Sequence, residues 1–405
     1  MKITLISLST PTFNNIRAAS ALPYHLIMGV KENSDIDIEI YSYNINNIDN
    51  YQIKNIEREL NVNIHLLSMP WWITWMFRLH LGILRIFLSF PYLCYLQLPK
   101  RIVKNIRNSQ SDLVWIYGEE LAGLTKHFLE TKQLVTMPDC ESMYYYRLLK
   151  KKFGVSSLLK TFRYTYAYYQ YRNMEQTKCF IDNRILYHFV GKNDEMFFHE
   201  VCPNAKTVFL KHPLYQKSAD IKNKRQSKFH SPIRIVIPGR YDIYQKEDTD
   251  QLITKMCKKD VSNKLKSIYK ITFLGKYWQK SATKLIKNGW NVDLKTWVDD
   301  YALELQAHDV ALYPISIGTG TKGKVLDAIA NGLLVIGTPY ALENIAVENG
   351  KGCIEYKDSQ QAIYILLDIP NNILYYEQMS DYERKNILKE HAREKCAKEL
   401  FSIVL

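Results

Sequence analysis

Between Leu60 and Ser111 the chain has no aspartate or glutamate, and between Ser142 and Met174 it again has none. Glycine is scarce at 16 of 405 residues and proline numbers 13, which excludes collagen-like and low-complexity chains. The seven cysteines (Cys94, Cys140, Cys179, Cys202, Cys257, Cys353, Cys396) are scattered, with no C-x-x-C pair. That argues against a zinc site and predicts reduced, mostly buried thiols. No apolar run reaches the ~18 residues of a spanning helix. The start, Met1 to Leu8, lacks the long apolar core of a signal peptide and reads as a first strand. Together these absences predict a protein kept in the cytoplasm. No repeat of solenoid length is found.

What is present is an ordinary globular composition, 47% apolar and 23% charged, in a chain long enough for two domains. The formal charge of +13 comes from 54 basic against 41 acidic residues, and favours a polyanionic neighbour: nucleic acid, anionic lipid or a phosphorylated small molecule. Short apolar runs alternate with helical patterns, the signature of βαβ units and an α/β fold with parallel sheets. Strands are predicted at 2–8, 37–43, 112–117, 133–137, 186–190 and 207–210, then at 233–237, 270–274, 309–313 and 333–336. Polar, basic residues 216–232 read as a linker. The expected organisation is a first domain over 1–215, a second over 233–384, and a final helix over 385–405.

The run Gly318-Thr-Gly-Thr-Lys-Gly-Lys-Val-Leu-Asp-Ala-Ile-Ala-Asn-Gly332 lies between two of these strands. Its glycines permit tight turns and close ligand approach, and a helix start there favours an anion. Lys322 and Lys324 add full charges. Asp327 within the helix can accept hydrogen bonds from ribose hydroxyls. An ordinary strand–turn–helix with solvated lysines is the plain alternative, since short glycine patterns are weak signals. The spacing is not that of a Walker loop.

This run resembles the donor-site helix of GT-B glycosyltransferases, in particular the retaining family 4, also called glycosyl transferases group 1. In that family two glutamates flank this region: the second contacts the ribose and the first lies near the donor sugar. Here they correspond to Asp327 and Thr319. The resemblance implies a GT-B fold, two Rossmann-like domains facing each other across a cleft. The second domain would bind a nucleotide-sugar through Gly318, Thr319, Gly320, Thr321, Lys322, Lys324, Val325 and Asp327. The first domain would bind the acceptor, with the last helix packing back on it.

Further residues fit that site. Gly239-Arg240 closes a strand, and Lys246 follows six residues later, where the family spacing is usually five. An arginine can grip two phosphate oxygens and a lysine supplies a point charge. Gly275-Lys276 ends the next strand and offers another cation. Trp297 stands either against a nucleotide base or in the core. The loop after the first strand has Asn15 and Arg17 where glycines are usual, so side-chain contacts to the donor are expected in their place. In the first domain, Asp139 and Glu141 follow the strand at 133–137. They suit activation of an acceptor hydroxyl or support of an oxocarbenium-like state, or else helix capping. Tyr117-Gly-Glu119-Glu120 is a similar but weaker pattern.

The two acid-free stretches are rich in aromatics and cations. The first holds Trp71, Trp72, Trp75, Arg78, Arg85, Lys100 and Arg101; the second holds Tyr144, Tyr145, Tyr146, Lys152, Arg163 and Tyr169. Segments 69–107 and 143–172 are read as an anionic membrane surface, or as buried helices with snorkelling basic residues. No nucleic-acid motif accompanies them, and nucleic acid is not an expected partner. The resemblance implies a metal-independent hexosyltransferase with retention at the anomeric carbon. It would act peripherally on the inner membrane face, on a lipid-linked or other saccharide of a bacterial surface polysaccharide such as lipopolysaccharide or capsule. No cofactor is expected, the nucleotide-sugar being a substrate. Asp35-x-Asp37 and Asp248-x-Asp250 resemble metal clamps in letters only. The rivals are a GT-B nucleotide-sugar epimerase and an inactive sugar-nucleotide-binding partner of a membrane enzyme.

Overall fold

The computed structural model describes residues 1–17, 19–31, 36–78, 87–151, 158–216 and 228–404, with only the backbone at 77 and 78. The calls on Arg85 and Lys152, on 217–227 of the linker, and on Asp35 lie outside the described residues.

The chain divides into two compact units, Met1–Tyr215 with Arg393–Leu405, and Gln216–Ala392. Among the described residues the first is built on seven strands: β1 (Lys2–Ser7), β2 (Asp37–Ser42), β3 (Asn63–Leu66), β4 (Leu113–Tyr117), β5 (Lys132–Met137), β6 (Ile185–Phe189) and β7 (Lys206–Phe209). Their order is β3-β2-β1-β4-β5-β6-β7, and every pairing is parallel. Strands buried on both faces read as continuous apolar runs, and β4, LVWIY, is buried throughout. Alternate residues feed two cores. Ile6, Ile116, Val135 and Phe189 face one; Leu5, Trp115 and Leu134 face the other.

The second core is closed by the helices Ala21–Lys31 and Arg393–Val404, which pack together. The approach is close: a β-carbon on Gly29 would lie 2.8 Å from the Arg393 carbonyl oxygen. The expected single helix over 385–405 is two helices. Ile373–Glu390 stays with the second unit, and the returning element begins at Arg393. His391 marks the break, its Nε2 accepting from the Ala346 N–H at 3.1 Å.

Among the described residues the second unit has six strands: β8 (Ile233–Pro238), β9 (Tyr269–Leu274), β10 (Asn291–Lys295), β11 (Val310–Tyr313), β12 (Leu334–Gly337) and β13 (Ile354–Glu355). Their order is β10-β9-β8-β11-β12-β13, again all parallel. This is the doubly wound pattern, with its switch point between β8 and β11. The end of the expected linker is part of this unit. Phe229 packs on its core, and His230 Nδ1 meets the buried Asp309 carboxylate at 2.8 Å. Three strands are additions to the sequence reading: β3, β10 and β13.

Candidate functional site

In a doubly wound sheet, ligands bind beyond the carboxyl ends of the strands flanking the switch point. In the second unit those ends carry Gly239-Arg240 after β8, Gly275-Lys276 after β9, and residues 314–322 after β11. The first two turns are locked together. Gly239 N–H donates to the Leu274 carbonyl at 2.8 Å, and Trp278 Nε1–H donates to the Gly239 carbonyl at 2.7 Å. Gly275 has φ +136°, and a β-carbon there would lie 2.2 Å from the Gly239 oxygen. No other residue fits.

Gly239 itself has φ +111°; a β-carbon on it would come 2.9 Å from Lys324 Nζ and 2.5 Å from Gln245 Nε2. Lys324 therefore reaches from the helix Gly323–Ala330 across to the β8 turn. That helix has Lys322 as its N-cap residue, and no side chain caps it. The Lys324 ammonium is pushed down to about 8 by burial, with Asp242 opposing and Lys322 adding repulsion. A cation held this way gains from a bound anion. Lys322 behaves differently: its ammonium folds back onto the loop, donating to the carbonyls of Thr319 and Gly320. Asn344 reaches the same Gly320 carbonyl at 3.3 Å. Gly318 and Gly320 are buried and Thr319 half-buried in this clamped loop.

Asp327 lies one turn into the helix, half-buried by surface yet ringed by protein, and burial lifts its carboxyl up to about 7. Tyr301 and Tyr313, close to each other, feel its charge. The Tyr313 hydroxyl also donates to the Lys324 carbonyl. Val325 is fully buried and anchors this turn. Asp327 and Lys324 thus share one short helix, an acceptor and a cation about one turn apart.

The remaining second-unit candidates separate. Arg240 is exposed, with its guanidinium 4.9 Å above the Tyr277 ring, and Lys276 is exposed beside it. Lys246 is bound to Asp250 at 2.6 Å and to the Tyr241 hydroxyl at 3.3 Å, so its charge is already engaged. Position 245, five residues after Arg240, carries instead a glutamine whose buried side chain abuts Gly239. Gln245, Tyr301 and Tyr313 were not singled out from sequence; the usual spacing of five was the one signal that pointed to Gln245. Trp297 is 72% exposed, which excludes the core reading.

In the first unit, Asn15 Oδ1 accepts from the Ser20 and Ala21 N–H groups at 3.0 and 2.9 Å. It closes the start of the helix Ala21–Lys31. Arg17 is exposed, with φ +59°. Asp139 is half-buried between β5 and the helix Glu141–Lys150. The N-cap of that helix is Cys140, without a side-chain cap. Its first N–H groups are served from elsewhere: Cys140 N–H donates to Asp194 Oδ1 at 2.9 Å and Glu141 N–H to Glu119 Oε2 at 3.1 Å.

Glu141 is pushed up to about 8 by burial and by the nearby Asp139, Glu120 and Asp194 charges. It therefore carries a proton at neutral pH, as a general acid requires. Glu119, buried and close to Glu175, Glu141 and Glu120, is raised well above the carboxylate range. Its carboxyl lies close to that of Glu175. Two adjacent buried carboxyls share a proton rather than both ionising.

The acid-free stretches meet in the first unit. Tyr166 hydroxyl and Gln170 Nε2 each donate to the Leu88 carbonyl at 2.6 Å, and Asn173 donates to that of Ser89. Their aromatics divide. Trp72, Tyr145 and Tyr146 are partly buried, the Tyr145 ring stacking on Tyr171. Trp71, Trp75, Phe87, Leu158, Leu159 and Phe162 are exposed, with exposed Lys160 and Arg163 among them. No helix among the described residues is long and apolar enough to cross a membrane.

Residues 232–368 match the family described as glycosyl transferases group 1. No curated protein sequence matches the chain. Among solved structures, HepE of Anabaena in complex with UDP is similar at a TM-score of 0.64 and 12% identity, over 100% of this chain and 99% of that one. A glycosyltransferase from Rickettsia africae gives 0.65 and 11%, over 100% and 98%. Sucrose-phosphate synthase from Thermosynechococcus elongatus gives 0.62 and 10%, over 99% and 98%. The family match thus falls within the second unit, and the chain as a whole has the GT-B fold of two Rossmann-like domains.

Proposed function

We propose that this chain transfers a hexosyl unit from a nucleotide-sugar to a saccharide acceptor. The observation that carries this is the junction of Lys324 with the Gly239 turn, beside Asp327 on the same helix. A buried cation over a backbone turn suits a diphosphate, and a half-buried carboxylate one turn further along the helix suits ribose hydroxyls. Arg240, Lys276 and the loop 318–322 complete the phosphate side in this reading, and Trp297 is free to stack on a base. Engagement of Lys246 by Asp250 leaves its place to Lys324. Arg17 and the Asn15 amide group are the first unit's contribution to the donor.

On the acceptor side, Glu141 in protonated form and Asp139 are the catalytic candidates, protonating or activating the oxygen that leaves or attacks. The reaction proceeds without a metal, and with retention, on the strength of the resemblance. Within 69–107 and 143–172, the exposed Trp71, Trp75, Phe87, Lys160, Phe162 and Arg163 support a peripheral site on an anionic membrane, where a lipid-linked saccharide of a bacterial surface polysaccharide would be met.

The test is a thermal-shift screen of the protein against UDP, GDP, ADP, CMP and dTDP. One nucleotide is expected to stabilise it clearly, and Asp327→Ala or Arg240→Ala to abolish the effect. A flat screen with folded protein overturns the reading.

A further inference from the structure

Lys322 and Lys324 stand at the start of the helix Gly323–Ala330, yet their side chains go to different places. Lys324 extends across to the turn after β8. Lys322 turns back. Its ammonium donates to the Gly320 carbonyl at 2.9 Å and to the Thr319 carbonyl, both in the loop that precedes the helix. Its stem crosses Gly318, where a β-carbon would lie 2.7 Å from Lys322 Cε and 3.1 Å from Nζ. The lysine can fold back because position 318 has no side chain.

The backbone of Lys322 is fixed independently of that contact. Its carbonyl accepts from the Val325 N–H at 2.8 Å and the Leu326 N–H at 3.3 Å, as an N-cap residue's does. One residue thus joins the first turn of the helix to the middle of the loop. The near end of the loop is anchored elsewhere. Ser316 N–H donates to the Tyr244 carbonyl at 2.6 Å, and Ser316 Oγ accepts from the Asp248 N–H at 3.0 Å. A second stay comes from beyond β12, where Asn344 Nδ2 donates to the Gly320 carbonyl at 3.3 Å. That carbonyl is therefore held by donors from two elements. Gly320 has φ +60°, a left-handed conformation that glycine adopts without strain.

These bonds shape the backbone before any ligand arrives. A peptide group is planar and trans, so fixing its carbonyl also fixes the direction of its N–H. Holding the Thr319 and Gly320 carbonyls sets the next two peptide planes of the loop. Bonds from an ammonium are charge-assisted, the stronger kind.

We infer that Lys322 is a positioning residue, a staple that holds the loop 318–322 in the shape that receives a phosphate group, while Lys324 supplies the contacting charge. The phosphate rests on the nucleotide-sugar reading; the staple does not.

The test compares Lys322→Met, Lys324→Met and Gly318→Ala in the full chain by two measurements. The first is hydrogen exchange of the loop in nucleotide-free protein, where a staple acts and a phosphate ligand does not. Lys322→Met is expected to speed it by about tenfold or more, and Lys324→Met to leave it unchanged. The second is UDP affinity by isothermal titration, expected to fall about tenfold in each of the two lysine variants. Gly318→Ala evicts the lysine stem and should match Lys322→Met in both readouts. The double variant should add little to either, because both changes remove one contact. Thermal midpoints confirm that each variant is folded. Unchanged exchange in Lys322→Met with lost UDP affinity would make Lys322 a direct phosphate contact and overturn the inference. Faster exchange with undiminished affinity would also overturn it. A parent protein that ignores UDP, with the exchange pattern as expected, would sink the donor reading and leave the staple standing.

Discussion

Lys324 Nζ stands 2.9 Å from where a β-carbon on Gly239 would lie, although 85 residues separate the two in sequence. The contact joins the turn after β8 to the first turn of the helix Gly323–Ala330, across the switch point of the sheet. It makes the glycine and the lysine one unit.

Gly239→Ala tests that unit. The new methyl meets Lys324 Nζ and Gln245 Nε2 at a backbone conformation that L residues avoid. Nucleotide affinity is expected to fall by about tenfold or more, corresponding to at least ~1.4 kcal/mol, as isothermal titration would show. Unchanged affinity in the folded variant would separate the turn from the ligand.

The titrating pair predicts a pH optimum for nucleotide binding. Asp327 must be ionised to accept ribose hydroxyls, so binding strengthens as pH rises through about 7. Lys324 must be protonated to meet a diphosphate, so binding weakens as pH rises through about 8. Asp327→Asn should remove the lower limb, and Lys324→Arg the upper one, because a guanidinium does not deprotonate in this range. Stability follows the same groups. A folded pKa raised from 3.8 to about 7 favours the native state at low pH, and that contribution is lost as pH rises through about 7. Unliganded Asp327→Asn should therefore be more stable than the parent near pH 8, by at most about 4 kcal/mol, and equal to it near pH 4. Urea titrations at the two pH values measure this.

Asp194→Ala should unfold the first unit at lower denaturant. It strips the buried acceptor from the Cys140 N–H, a loss of roughly 2–3 kcal/mol for a charge-assisted bond. Asp194→Asn should recover most of it, since an amide oxygen still accepts. Equal midpoints for the alanine and asparagine variants would contradict the assignment.

The exposed surface around Phe162 predicts sedimentation with vesicles rich in phosphatidylglycerol and not with phosphatidylcholine alone. Replacing Lys160 and Arg163 by serine should weaken binding by about 2 kcal/mol, or roughly thirtyfold at low salt. Indifference to vesicle charge would remove the membrane from the account.

The central strands and the Gly318–Gly332 run were legible because burial on both faces writes itself as apolar runs bounded by glycine. The edge strands β3, β10 and β13 were not: β3 is largely exposed and β10 and β13 only half-buried, so neither alternation nor an apolar run marks them. Lys324 and Asp327 could be named from local pattern. Gln245, Tyr301 and Tyr313 could not, because their relation to those residues exists only after β8, β9 and β11 are side by side. The same holds for the carboxyls around Glu141. Glu175 and Asp194 lie on helices far along the chain, and only folding brings them to the Cys140 turn. Asn15 shows the converse: a residue selected as a ligand contact spends its oxygen on the helix that follows it.

The most direct measurement is a crystal structure of the protein soaked with the nucleotide-sugar that stabilises it best. The diphosphate is predicted against Gly239, Lys324 and the loop at 318–322, with a ribose hydroxyl on the Asp327 carboxylate. A ligand bound elsewhere, with Lys324 and Asp327 untouched, would contradict the account.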